Sequence, residues 1–233
     1  MIGSDNLTPL PRHVAVVGAA GGLGQGILNV CRAEGINFTA IVRSRPDRIA
    51  DVPQGSRVAV VASLADSVAL ARAFVGADAV LTAMGVTSTS SDPSALLSQN
   101  MSTLKAGMGA SNVNRILVIN TLVASLPGKP AHPALRFFKW IPGKMGRGAA
   151  ELQAVGDALG RGELASLRWT LVRAAVNTRG KDERPVAAAD WSGACNSMSP
   201  VSYEAMGRWM LEEAVACKYV HAAPLVSRSK RRA

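Results

Sequence analysis

The sequence predicts an α/β protein built on a doubly wound parallel sheet with a small C-terminal extension, and three observations lead there. Short apolar runs rich in β-branched residues recur along the 233 residues, with stretches of helical spacing between them. These runs are continuous rather than alternating, as expected of strands covered on both faces. A glycine-rich turn, GAAGGLG at Gly18–Gly24, directly follows the first run and opens the first helical pattern.

The elements follow in order. His13–Val17 (HVAVV) reads as the first strand, and Leu23–Glu34 as a helix whose Leu23, Ile27, Val30 and Cys31 share a face. Gly35 stops that helix. Strands are expected at Phe38–Val42, Arg57–Val61 and Ala79–Ala83, with a helix over Leu64–Val75 that Asp66 starts and Gly76 stops. Asp92-Pro93-Ser94 opens a helix over Ser94–Ser111, followed by a strand at Arg115–Asn120, a helix at Arg147–Gly160 and a strand at Trp169–Val172. Leu122–Met145, rich in Pro and Gly, reads as a long functional loop over the carboxyl edge of the sheet. Residues 1–12 are expected to form an arm, and 13–223 a single domain whose last part, from about 174, meets a substrate or partner. Residues 224–233 read as a basic tail that frays.

Composition sets limits on function. Hydrophobic residues at 48% and charged residues at 18% supply a core and exclude a disordered chain. Cys31, Cys195 and Cys217 are far apart, with neither CxxC pairing nor any other metal-ligand pattern, so a reducing compartment is expected and no metal. With no apolar signal core at the start and no run of membrane-spanning length, the reading is a soluble intracellular protein. The formal charge of +10 favours anionic ligands. Between Thr121 and Ala150 there is no Asp or Glu, yet Lys129, Arg136, Lys139, Lys144 and Arg147 all occur there.

Gly18, Gly21 and Gly24 stand where a strand gives way to a helix. Such glycines permit the sharp turn, the approach of backbone to a pyrophosphate, and close packing of helix on sheet. The helix N-terminus then faces the anion. A Rossmann-type dinucleotide fold is therefore expected, with Gly18, Ala20, Gly21, Gly22, Leu23 and Gly24 forming the cradle. An acidic residue at the end of the second strand would select NAD; here Arg43 occupies that place, followed by Arg45 and Arg48. Guanidinium groups there pair with a 2′-phosphate, so NADP(H) is the expected cofactor. Arg45 and Arg48 also fit an ordinary solvated loop.

Together, GAAGGLG, IVRSR (Ile41–Arg45), ADAVLTAMG (Ala77–Gly85) and LRWTLVRAA (Leu167–Ala175) resemble the atypical short-chain dehydrogenase/reductases. Within these the chain is most similar to the NAD(P)H-binding, NmrA-like and biliverdin reductase B-like group. The resemblance implies that Ser63 and Leu64 flank the adenine and that Ala83, Met84 and Gly85 line the nicotinamide ribose. The acidic residue usual in the family after the third strand is replaced by Ala62-Ser63.

The wider family reduces carbonyls with a Tyr-x-x-x-Lys pair, but neither Tyr203 nor Tyr219 is followed by Lys at that spacing. The nearest match is Trp140-Ile-Pro-Gly-Lys144, and an indole cannot act as an acid near neutral pH. Two readings follow. In the first, the chain is a reductase passing hydride from NADPH to a flat or anionic acceptor, such as a flavin or tetrapyrrole, as biliverdin reductase B-like proteins do. Its candidate polar groups are Asn120, Thr121, Ser125 and Lys144, with Thr121 and Lys144 also at the nicotinamide ribose. The acceptor then meets Phe137, Phe138, Lys139 and Trp140 by stacking and charge pairing, and His132 is a candidate acid that also fits a surface role. In the second, the chain is a non-catalytic NADP(H)-binding regulator or assembly subunit, as NmrA-like proteins resemble, docking a protein or RNA partner through its basic-aromatic loop. RFFKWIPGK also fits a hydrophobic clamp over the cofactor. No recognised nucleic-acid-binding module occurs.

Overall fold

The computed structural model describes residues 9–84, 96–122, 124, 126–130, 133, 136, 137, 140, 141, 143–174, 180–189, 195, 196 and 200–229. The first strand, β1 (His13–Val17), is fully apolar after His13 because it is covered twice. Its Val14 and Val16 enter one core and its Ala15 and Val17 the other. The period of two that would show in a half-exposed strand is therefore hidden, which is why the run reads as continuous.

Helix α1 (Gly22–Glu34) follows and ends at Gly35, which takes the left-handed conformation (φ 67°). Then come β2 (Asn37–Val42), β3 (Arg57–Val60), α2 (Ser67–Phe74) and β4 (Ala79–Thr82). The second helix starts later than the expected Leu64. The Ser63 Oγ accepts from the Ala65 N–H, the Ser63 carbonyl accepts from the Asp66 N–H, and Asp66 itself caps the helix by accepting from the Ala69 N–H. These local bonds hold Ser63–Asp66 as a turn. The chain continues through α3 (Met101–Ala110), β5 (Arg115–Thr121), α4 (Lys144–Gly160) and β6 (Arg168–Ala174). The expected helix start at Asp92-Pro93-Ser94 lies outside the described residues, but residues 96–100 form a turn, so this helix begins at Met101, later than expected.

The last elements are β7 (Val186–Ala188), β8 (Cys195–Asn196), α5 (Tyr203–Ala216) and β9 (Leu225–Ser229). Among the described residues the sheet runs β3-β2-β1-β4-β5-β6-β9-β7, with β8 paired to β9. Strands β1 to β6 are parallel, β9 is parallel to β6, and β7 is antiparallel to β9. α1 and α5 pack on one face, while α2, α3 and α4 pack on the other.

The C-terminus corrects the expected tail. Residues 225–229 do not fray but form a strand in the sheet, and Leu225 and Val226 are completely buried. Their apolar pair is short and followed by Ser-Arg-Ser, so the sequence shows a basic tail where pairing with β6 makes a strand. A second unforeseen feature lies at the amino end of β5. Arg115 is buried and bonded to Glu213 of α5 (3.0 Å), to Thr170 and to the Arg168 carbonyl. Desolvation lowers the pKa of this guanidinium, and the nearby Cys217 and Glu213 oppose that shift. Among the described residues no helix is long and apolar enough to cross a membrane.

Candidate functional site

Strand order reverses between β1 and β4: the chain runs outward from β1 to β2 and β3, then returns to place β4 on the other side of β1. In open α/β sheets the crevice at the carboxyl ends beside such a reversal is where ligands bind. The glycine turn occupies it. Gly18 adopts φ 83°, and a Cβ there would meet the Met84 Cγ at 3.0 Å and the Ala83 carbonyl carbon at 3.3 Å. The positive φ favours glycine, and any Cβ would press on Met84 and the Ala83 backbone. The Gly18 and Ala19 amides donate to the Ile41 carbonyl of β2 (3.1 and 3.2 Å), and the Gly21 amide donates back to the Gly18 carbonyl (3.0 Å). The turn is thus tied to the end of the neighbouring strand.

Each later glycine has its own reason. A Cβ on Gly24 would come within 2.5 Å of the Gly18 carbonyl oxygen and 2.6 Å of the Ala19 Cα, so α1 rests directly on the turn. Gly21 differs. Its φ of −80° suits any residue, and a Cβ would be only marginally crowded, 3.3 Å from the Gly18 oxygen and 3.7 Å from the Ala83 oxygen. The protein's own packing makes little demand for glycine at this position, which fits a close approach from outside.

The amides of Gly22, Leu23 and Gly24 open α1 and have no acceptor inside it. Gly21 supplies no side-chain cap, and the first turn holds no acidic residue. Donors, helix dipole and missing side chains together fit the pyrophosphate of a dinucleotide. Ala20 is half-buried; Leu23 is buried in the core, so only its backbone amide faces the turn's open side.

Arg43 follows β2 directly, and Arg43, Arg45 and Arg48 are all exposed at this edge. Arg45 takes a left-handed conformation (φ 62°) and opens a short 3-10 turn over Pro46–Arg48. Gln25 of α1 holds that turn in place: its amide donates to the Arg48 carbonyl (3.1 Å) and the Ala19 carbonyl (3.3 Å). One side chain therefore fastens the basic turn to the glycine turn. The spacing of Gln25 from the glycines is the sequence signal that could have drawn attention to it.

Ser63 is half-buried and Leu64 buried in the turn after β3, while Ala83 and Met84 follow β4 and lie against Gly18. Thr121 ends β5 and is half-buried, and its amide donates to the Asn120 Oδ1 (2.8 Å). Asn120 is turned inward, 4% exposed, and its amide donates to the Leu152 carbonyl of α4 (2.9 Å). Both ends of that carboxamide are engaged, so in this arrangement it orders the strand's end. Phe137 and Trp140 are 68% and 87% exposed. Gly85, Ser125, His132, Phe138 and Lys139 lie outside the described residues, and of Lys144 only the backbone, as the first residue of α4, is described. Cys31 faces the core, and burial pushes its thiol up to about 12, which makes it inert as a nucleophile.

Tyr203, the first residue of α5, also reaches this edge. A Cβ on Gly22 would lie 2.5 Å from its Cε2, 2.7 Å from its Cζ and 3.0 Å from its hydroxyl, and one on Gly26 would lie 2.6 Å from its backbone. Gly207 completes the contact by lying against Ile27. The four-residue spacing of Gly22 and Gly26 was the signal that another helix lies close on that face.

The sequence matches the family model described as NAD(P)H-binding over residues 18–214. A comparison with curated proteins finds no match. Among solved structures, an exported protein of Burkholderia pseudomallei, so described without assurance by those who solved it, is 21% identical with a TM-score of 0.66, covering 93% of this chain and 99% of that one. A short-chain dehydrogenase/reductase of Veillonella parvula in complex with NADP is 16% identical with a TM-score of 0.63, covering 94% and 95%. A Streptococcus pneumoniae protein whose proposed activity is NADH-flavin reductase is 19% identical with a TM-score of 0.68, covering 93% and 99%. At these identities the structural likeness shows the fold. With the glycine turn at the strand reversal and the family model spanning nearly the whole described domain, the chain belongs to the NAD(P)H-binding family of Rossmann-fold proteins.

Proposed function

We propose that this protein is a reductase that prefers NADPH to NADH and passes hydride to a flat or anionic acceptor of the flavin or tetrapyrrole kind. The observation that carries the cofactor preference is the exposed trio Arg43, Arg45 and Arg48 on a turn fastened by Gln25 to the glycine cradle. With the pyrophosphate at the start of α1, the ribose of the adenosine half lies toward the end of β2, within guanidinium reach. The NADP complex of the Veillonella protein supports the same reading.

When bound, the dihydronicotinamide supplies the hydride. The chain's own part is to bind and orient: backbone amides of α1 hold the pyrophosphate, Ala83 and Met84 bound the crevice, and Thr121 offers a hydroxyl at the next strand end. No Tyr-x-x-x-Lys pair exists in the sequence, so the proton that completes reduction comes from water or from a nearby group other than a tyrosine. Phe137 and Trp140, both strongly exposed on a segment without acidic residues, suit the face of an aromatic anion.

That same exposure favours a second reading, in which the segment docks a protein partner and the cofactor is held without turnover. NADPH oxidation against flavins, tetrapyrroles, quinones and aldehydes, run beside a pull-down from the source cell, separates them. Turnover by the isolated protein supports the reductase; a stoichiometric partner with no turnover of any acceptor overturns it.

A further inference from the structure

We infer that Tyr203 is a cofactor-binding residue whose phenol donates a hydrogen bond to the pyrophosphate of the bound dinucleotide. This inference rests on the assignment of the crevice beside Gly18–Gly24 as the dinucleotide site and adds a side chain to a cradle otherwise made of backbone.

The geometry comes from two helices. α1 and α5 run side by side in the same direction: Tyr203 lies against Gly22 and Gly26, Asn29 bonds Glu204 (2.8 Å), Gly207 lies against Ile27, and Arg208 pairs with Glu34. Their N-termini therefore meet at the carboxyl edge of the sheet, and two positive dipole ends converge there. The α5 end is firmly built, since Ser202 caps it by accepting from the Ala205 amide and in turn donates to Asp182 (both 3.0 Å).

At that junction the Tyr203 ring lies on Gly22, the first residue of α1, whose amide is one of the free donors. The hydroxyl is 3.0 Å from the place a Gly22 Cβ would occupy. Cα–Cβ bonds tilt toward a helix's N-terminus, so this places the phenol oxygen beside the opening turn rather than along the helix flank. Tyr203 is only half-buried, and its hydroxyl makes no hydrogen bond among the described residues, whereas Tyr219 donates to the Ala187 carbonyl (3.4 Å). A phenol is a donor that seeks a partner, and a diester phosphate oxygen on the same helix end accepts one as a charge-assisted bond. Gly22 is also explained: any side chain there would push the ring off the cradle.

The test measures the affinity of wild type and Tyr203→Phe for NADPH, NADH, ADP-ribose and adenosine 2′-phosphate by calorimetry. The phenylalanine ring keeps the packing on Gly22 and Gly26, so thermal stability should stay near that of wild type. Loss of one bond to a charged acceptor should weaken NADPH, NADH and ADP-ribose alike by about five- to thirtyfold. Adenosine 2′-phosphate, which lacks the pyrophosphate, should bind unchanged. If wild type binds the dinucleotides and Tyr203→Phe binds them within twofold, or if adenosine 2′-phosphate weakens equally, the assignment of Tyr203 fails alone. A wild type that binds no dinucleotide overturns the site itself, and this inference with it.

Discussion

Replacing Arg43 with alanine isolates the feature that separates the two nicotinamide cofactors, because NADPH and NADH differ only by the 2′-phosphate. Arg43 directly follows Val42, and Ile41, two residues earlier, accepts the Gly18 and Ala19 amides. Adjacent strands lie about 4.8 Å apart, so the base of the Arg43 side chain stands within one strand spacing or two of the glycine turn. A hydrogen bond to a charged group contributes about 1.5–3 kcal/mol when well shielded. Arg43 is exposed, so screening reduces that contribution to about 1–2 kcal/mol. Arg43→Ala should therefore weaken NADPH by roughly five- to thirtyfold, since 1.4 kcal/mol corresponds to about tenfold, and leave NADH nearly unchanged. Arg43→Asp should invert the preference, because a carboxylate repels the phosphate and accepts from free ribose hydroxyls. Titration of both cofactors by fluorescence or calorimetry at two salt concentrations reads the effect, and added salt should weaken NADPH more in wild type than in Arg43→Ala. Equal binding of the two cofactors by wild type, or equal weakening of both in Arg43→Ala, would refute the role of Arg43 as a phosphate ligand.

Other perturbations test the rest of the structure. Gly21→Val, at an ordinary φ of −80° and with modest internal crowding, should leave the melting temperature within a few degrees of wild type and reduce dinucleotide affinity by at least about a hundredfold; retained binding would show that the turn is not the cradle. Gly24→Ala should do the reverse in kind, costing about 1–3 kcal/mol in denaturant unfolding because its Cβ would lie 2.5 Å from backbone that cannot swing aside. Glu213→Leu leaves Arg115 buried without its carboxylate and should destabilise by about 3–5 kcal/mol, read from the same unfolding curves. For His13, burial first and the nearby Arg57 second hold the imidazole pKa below 6.5, so the fold favours the neutral ring. Its contribution is complete above that value and is lost as pH falls through the folded-state pKa; His13→Gln should flatten stability across that acidic window, and an unchanged pH profile would exclude His13 as its source.

Much of this molecule was legible because local and global preferences agree. β1 could be placed to the residue, since five residues bounded by a histidine and a positive-φ glycine leave little freedom, and α1 was fixed at both ends by glycines with different tasks. The candidate cofactor site was legible for the same reason: it is a local string, Gly18 to Gly24, with Arg43, Arg45 and Arg48 after the neighbouring strand, and its shape depends on backbone more than on distant partners. What sequence could not decide is everything made by segments far apart in the chain. Whether residues 225–229 fray or pair depends on the exposed edge of β6, more than fifty residues away. Arg115 and Glu213 look like two surface charges until β5 and α5 bring them together out of water. Asn120 looks like a free polar group at a strand end until α4 supplies the Leu152 carbonyl. Tyr203 had no motif at all, and it lies against the start of α1 only because Gly22 and Gly26 let α5 come close. The sequence by itself determined the first six strands, the first helix and the glycine turn, because their information is carried within a few residues. Only the tertiary structure decided which side chains from the rest of the chain stand around that turn, because packing, not spacing, sets those distances.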